Sequence, residues 1–230
     1  MDENSCMLAL LLAGGQGSRL APFTDIIPKA LFPINGEPVA RIMAKKLLKH
    51  KMEVVVCINK AWESLFRHEF RDFPVKFSVS EKPLGTAGEV WNAKHFIHET
   101  FLVAYADDLT NIDYAELVAF HRERPDAFAT LALTHKLPLD VGICNVDSDR
   151  VVALYEKPII DLKALTGTAV YEPEILEFCK PNRDFALHVI PQILSSEKKV
   201  YADFTNSLWM DIGSLSHYKL ACELAKKREI

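Results

Sequence analysis

The 230-residue sequence lacks an apolar run long enough to cross a bilayer as a helix, for which about 20 residues are needed. Its one strongly apolar run near the start, MLALLLA at residues 7–13, is too short. It follows Asp2 and Glu3 rather than a basic stretch, so it does not read as a secretory signal either. A buried strand is the remaining reading. An excess of basic charge is also missing: 27 Lys and Arg stand against 31 Asp and Glu, a net charge of -4, which gives no electrostatic reason to expect nucleic acid or an anionic membrane as partner. Any anionic ligand must be met locally. The five cysteines (Cys6, Cys57, Cys144, Cys179, Cys222) are an odd number without a C-x-x-C pair. That argues against a disulfide framework or a zinc ribbon and suits a reducing cytoplasm. No linker rich in Pro, Gly or Ser, no low-complexity tract and no internal repeat divides the chain.

What the sequence does contain is an alternation of strand-length apolar runs with helical patterns. Strands are expected at residues 7–13, 53–58, 76–80 and 101–106, with helices at 38–50, 62–70, 86–96 and 113–124 between and after them. Continuous apolar strands separated by helices need cover on both faces, which predicts an α/β fold with a doubly wound, mostly parallel sheet. After residue 124 the pattern turns strand-rich, with strands near Ala129, Val141, Arg150 and Thr166 and a short one at Trp209. Helical segments near Glu174 and Asp184 and a final helix from Ser214 complete it. A single domain is expected, with a nucleotide-binding half at about 1–112, a second half at 113–213 and a terminal helix at 214–230.

The first strand runs straight into AGGQGSRLAPFTDIIPKAL. Gly14, Gly15 and Gly17 allow backbone N–H groups to approach phosphate oxygens closely. The loop is neither a Walker A sequence nor the dinucleotide fingerprint, in which a third glycine would replace Leu20. Three glycines alone are equally well a tight strand-to-helix turn. Arg19 and Lys29 favour a ligand, because a planar fork and a mobile point charge are then placed to converge on a polyphosphate.

The stretch LLAGGQGSRLAPFTDIIPKALFPING resembles the opening signature of the sugar-1-phosphate nucleotidyltransferase family. Four further landmarks follow in the family's order: SEKPLGTAGEV (residues 80–90), ADDLT (106–110), YEKP (155–158) and WMDIGSLSHY (209–218). The resemblance extends from Leu8 to about Tyr218 and is closest to the short form of the glucose-1-phosphate thymidylyltransferase and mannose-1-phosphate guanylyltransferase type. Only one helix follows Asp211, so the left-handed β-helix of longer members, and the acyltransferase activity it carries, is not expected.

The resemblance implies a Rossmann-like nucleotide-diphospho-sugar transferase fold and transfer of a nucleoside monophosphate from a nucleoside triphosphate to a sugar 1-phosphate, with Mg²⁺ as cofactor. The sugar is expected to be of glucose or mannose type. It implies that Arg19 and Lys29 act on the triphosphate as catalytic cations, and that Asp107 and Asp211 are the metal ligands. Leu12, Ala13, Gly14, Gly15, Gly17, Ser18, Ser80, Glu81, Gly85 and Thr86 would bind the nucleotide. Gly142, Glu156, Lys157 and Gly167 would bind the sugar phosphate. Three positions depart from the family pattern: Ala106 replaces a glycine, Leu165 stands where asparagine is common, and Ser80 stands where Gln or Glu commonly pairs with the base. With so short a side chain at 80, base choice is expected to rest on backbone groups near Leu12 and Gly85. Partners are confined to the two substrates, with no nucleic acid or membrane and with a homo-oligomer left open. The rival readings are a regulatory subunit that has lost catalysis and a cytidylyltransferase of the wider superfamily. Retention of all four of Arg19, Lys29, Asp107 and Asp211 favours the enzyme, and the E-K-P and W-x-D-I-G segments disfavour the cytidylyltransferase.

Overall fold

The computed structural model describes residues 6–139 and 141–227. Its strands and helices, in chain order, are β1 (Leu8–Leu12), β2 (Pro33–Ile34), β3 (Glu37–Pro38), α1 (Val39–Lys49), β4 (Glu53–Asn59), α2 (Glu63–Glu69) and β5 (Val75–Ser80). There follow α3 (Thr86–Asn92), β6 (Phe101–Tyr105), β7 (Asp108–Thr110), α4 (Tyr114–Arg122), β8 (Ala127–Pro138), β9 (Ile143–Asp147) and β10 (Arg150–Tyr155). The last are β11 (Ile159–Tyr171), α5 (Ile190–Leu194), β12 (Lys199–Thr205), β13 (Trp209–Asp211) and α6 (Leu215–Lys226).

Seven strands form one sheet in the order β12-β8-β11-β6-β1-β4-β5. Within it β6, β1, β4 and β5 are parallel neighbours, β11 runs antiparallel to both β6 and β8, and β12 is parallel to β8. This is the doubly wound, mostly parallel α/β architecture that the apolar runs predict. The reason lies in the two-residue period of a strand. Ala9 and Leu11 of β1 join Val54 and Val56 of β4 and Leu102 and Ala104 of β6 in one core. Leu10, Val55, Cys57 and Val103 enter the core on the opposite face. On the first face α1 contributes Val39, Ala40, Met43, Ala44 and Leu47, the apolar stripe of an amphipathic helix.

Edge strand β12 carries no sequence signal of its own, and neither do the two- and three-residue strands β2, β3 and β7. Strand β12 pairs only with β8, its side chains alternate between exposed and half-buried, and so KVYADFT contains no continuous apolar run. The helix expected at 86–96 breaks at Ala93 into a 3-10 turn over Lys94–Phe96. Strands β8 and β11 extend past the main sheet, while β9 and β10 form a separate hairpin. Both β1 and β6 finish at the same edge, where open parallel sheets leave a crevice for ligands. Among the described residues no helix is long and apolar enough to cross a membrane.

Candidate active site

The glycine-rich loop leaves the sheet after Ala13, whose N–H still donates to Cys57 O at 2.8 Å. Gly17 adopts φ 62°, a left-handed conformation that costs glycine little, and a Cβ there would stand 2.8 Å from the Thr24 methyl. At Gly15 a Cβ would meet nothing within 4 Å, so that glycine faces open space. A 3-10 turn over Ser18–Leu20 then leaves Arg19 exposed, and a later turn over Lys29–Leu31 carries Lys29 into a buried position.

Opposite this loop, a short antiparallel ribbon of β7 and β13 pairs Asp108 with Asp211. Ile212 N–H donates to Asp107 O at 3.2 Å, which fixes the two acidic segments side by side. Adjacent acids then take different partners. The Asp108 carboxylate is buried and accepts a bond from Trp209 Nε1 at 3.1 Å. Burial and the neighbouring Asp107 hold its pKa well above the usual carboxylate range, despite the indole N–H. Asp107 turns the other way, onto the Lys29 ammonium. Lys29 Nζ also lies 2.9 Å from Asp211 Oδ1, and Arg19 Nη2 lies 2.6 Å from Asp211 Oδ2. Burial pulls the Lys29 pKa down, but Asp107 and Asp211 together outweigh it and leave it raised. Burial pushes Asp211 up, and Lys29 and Arg19 outweigh that, leaving it lowered. Ala106, at the position of the family's glycine, is fully buried with its N–H on Leu12 O at 2.9 Å, so its methyl is absorbed by the core.

A cleft of about 370 Å³ is lined by Leu12, Ala13, Gly14, Gly15, Gly17, Ser18, Arg19, Lys29, Gly85, Thr86 and Asp107, all anticipated from the sequence. Size and mixed lining suit a small-molecule site. Gly85 has φ 77°, and a Cβ there would come within 2.5 Å of Arg183 O. Its glycine therefore also serves packing, because Ala87 and Gly88 N–H donate to that same carbonyl.

Other expected residues lie elsewhere. Ser80 is buried below the cleft, donating to Glu89 Oε1 at 3.0 Å, and Glu81 is exposed. Gly142, Glu156 and Lys157 sit together at the base of the β9–β10 hairpin, exposed and outside the cleft lining. Glu156 Oε2 is 3.1 Å from where a Gly142 Cβ would be. Gly167, with φ 83°, packs on the Tyr105 ring, and Tyr105 lines the cleft.

Six lining residues were missed by sequence reasoning: Gln16, Ala30 and Pro83, which adjoin residues that were anticipated or the motifs that carry them, and Tyr105, Glu89 and Asp184. Asp184 accepts from Thr86 N–H at 3.0 Å and Thr86 Oγ1 at 3.3 Å, capping α3 from a distant segment, and nothing local in the sequence announces it. Glu89 did carry a signal: an acid among Ala87, Gly88 and Val90 on the inward face of α3.

Residues 8–227 match the family model described as Nucleotidyl transferase. The chain belongs to that family. It is 28% identical to the UTP–glucose-1-phosphate uridylyltransferase of Synechocystis, an alignment that covers 97% of this chain and 64% of that protein. It therefore spans less than two thirds of that relative's length. With the D-glycero-alpha-D-manno-heptose 1-phosphate guanylyltransferase of Campylobacter jejuni it shares 28% identity over 92% of this chain and 97% of the relative. The crystal structure of HddC from Yersinia pseudotuberculosis superposes with a TM-score of 0.73 at 24% identity, covering 94% of this chain and 98% of that one, a likeness of fold.

Proposed function

We propose that this chain transfers a nucleoside monophosphate from a nucleoside triphosphate to a sugar 1-phosphate of glucose or manno configuration, forming a nucleotide sugar and pyrophosphate. The observation that carries the reading is the convergence of Lys29, Arg19, Asp107 and Asp211 on one another, with Lys29, Arg19 and Asp107 lining the same cleft as Gly14 and Gly15. The names of the Synechocystis and Campylobacter relatives support it.

In this scheme a phosphate oxygen of the sugar 1-phosphate forms a bond to the α-phosphorus of the triphosphate. The bond from that phosphorus to the bridging oxygen breaks, and pyrophosphate leaves with the electron pair. The nucleophile is already an anion, so no side chain need remove a proton, and catalysis reduces to positioning and charge neutralisation. The loop amides hold the triphosphate, Lys29 neutralises the α-phosphate, and Arg19, whose side chain is 69% exposed and paired with Asp211, would exchange that pair for the leaving pyrophosphate.

Asp107 and Asp211 both contact one ammonium and are hard oxygen donors, which fits Mg²⁺. Among the described residues no group of three His, Cys, Asp or Glu side chains forms a metal cage. Two carboxylates with substrate phosphates completing the shell are the usual arrangement for this ion. When bound, Mg²⁺ supplies neutralisation of charge on the reacting phosphates. We assign Gly142, Glu156, Lys157 and Gly167 to the sugar phosphate, which requires the β9–β10 hairpin to approach the cleft on binding.

The test is pyrophosphate release from the common triphosphates with several sugar 1-phosphates, with Mg²⁺ and with a chelator. Release that depends on both substrates and on the metal is expected. No release from any pair would overturn the proposal.

A further inference from the structure

Helix α3 begins at Thr86 and buries Ala87, Gly88, Glu89 and Val90 in its first turns. An acid in that row is unusual, since Glu is almost never fully buried without a partner. Glu89 is only 4% exposed. Its Oε1 accepts from Ser80 Oγ at 3.0 Å and from Leu84 N–H at 3.3 Å, while Oε2 is buried with no hydrogen-bond partner. Among the described residues no Lys, Arg or His forms an ion pair with it. Burial pushes its pKa up, against the pull of Ser80 and the Leu84 amide.

A carboxylate oxygen left in this state is costly unless a donor arrives. The cleft is a route by which a donor can reach it, because Glu89 lines the cleft together with Leu12, Ala13, Gly14, Pro83 and Gly85. Gly14 is shaped to the acid: a Cβ there would stand 2.8 Å from Glu89 Oε1 and 3.0 Å from Cδ. The glycine-rich loop therefore lies directly over the carboxyl group. Ser80, buried and outside the cleft lining, holds the acid through its hydroxyl.

We propose, on the footing of the nucleotidyltransferase reading, that Glu89 is the side chain that reads the base, and that the base is guanine. An ionised carboxylate only accepts, and the free Oε2 offers two lone pairs. Guanine presents two neighbouring donors on one edge, the ring N1–H and the exocyclic amino group. Uracil and thymine present one N–H flanked by two carbonyl oxygens that would face the carboxylate. Adenine and cytosine each set an amino group beside an unprotonated ring nitrogen. Guanine is the base whose edge offers donors alone to both lone pairs.

The experiment compares wild type with Glu89→Gln, using GTP, ITP, UTP, dTTP, CTP and ATP. ITP differs from GTP in lacking the amino group. Turnover with the best sugar 1-phosphate is measured beside calorimetric binding of each triphosphate. Wild type should prefer GTP over ITP by about 10–100-fold, the effect of one hydrogen bond to a charged group. In Glu89→Gln the amide oxygen keeps the bonds from Ser80 and Leu84, so the amide NH₂ takes the place of Oε2 and opposes guanine's donors. The GTP to ITP ratio should fall to about one, and the preference for GTP over UTP should fall by about 100-fold or more. Circular dichroism checks the fold. If the glutamine variant does not fold, Glu89→Asp, which keeps the charge and shortens the reach, should move both ratios the same way. A GTP preference that survives substitution overturns the role of Glu89, and a wild-type preference for another base overturns guanine. If no triphosphate is turned over, the reaction assignment fails, while the binding ratios still decide for or against Glu89.

Discussion

Lys29 Nζ lies 2.9 Å from Asp211 Oδ1, an ion pair between residues 182 positions apart in the chain. The same ammonium contacts Asp107, so one buried cation occupies the space between two carboxylates that would otherwise repel. Asp107→Ala and Asp211→Ala are each expected to reduce pyrophosphate release by about 10³-fold or more while circular dichroism stays unchanged. Normal turnover by either variant removes that residue from the metal site.

Lys29→Ala should lower kcat by about 10²–10³-fold, as for loss of one preorganised donor at a developing charge. A change confined to KM would mean that Lys29 binds ground state and transition state alike. The same variant leaves Asp107 and Asp211 facing one another. A divalent cation should therefore raise its Tm more than it raises that of wild type, a linkage read by thermal melts with and without Mg²⁺.

Two glycines separate packing from binding. Gly85→Ala imposes φ 77° on a side chain whose Cβ meets Arg183 O, and a loss of about 2 kcal/mol or more is expected in denaturant titrations. At Gly15 a Cβ meets nothing. Gly15→Ala should therefore leave stability within about 0.5 kcal/mol of wild type yet raise KM for the triphosphate. Equal melting behaviour of the two variants contradicts this division.

Glu89 also predicts a pH dependence of the unliganded protein. Its folded pKa lies above the ordinary 4.5, so the native state holds more protons than the unfolded chain in that window and stability falls as pH rises through it. Glu89→Gln has no such titration. The variant's stability relative to wild type should increase from below pH 4.5 upward and level off above the folded pKa. A difference that stays flat with pH means the acid is not destabilised by burial.

Asp184 satisfies the first N–H of α3 and the Thr86 hydroxyl, which in turn accepts from Phe185 N–H at 2.9 Å. Asp184→Ala should cost about 1–2 kcal/mol in a urea titration, the range for losing a helix N-terminal cap. If Thr86 holds the nucleotide as assigned, triphosphate affinity should fall as well, and calorimetry would show it.

The sequence by itself determined the layer architecture, because the cause is local. LALLL in β1 and EVVVCIN in β4 are apolar at every second position on both faces, and such strands are stable only between two layers of helices. It also marked where the glycine loop, Lys29, Asp107 and Asp211 stand in the chain, through glycines that permit a close phosphate approach and through motifs that resemble those of the family. Edge strand β12 left no such mark, because an element buried on little of its surface needs no apolar run. Only the tertiary structure decided which carboxylates share Lys29, that Asp184 caps a helix 98 positions away, and that Glu89 lies under Gly14 with one oxygen unpaired. Those relationships depend on the β7–β13 ribbon and on α3 docking against residues 180–185, contacts whose partners lie far apart in the chain. The periodicity of a segment records which of its faces is buried; the group it meets there is set by packing.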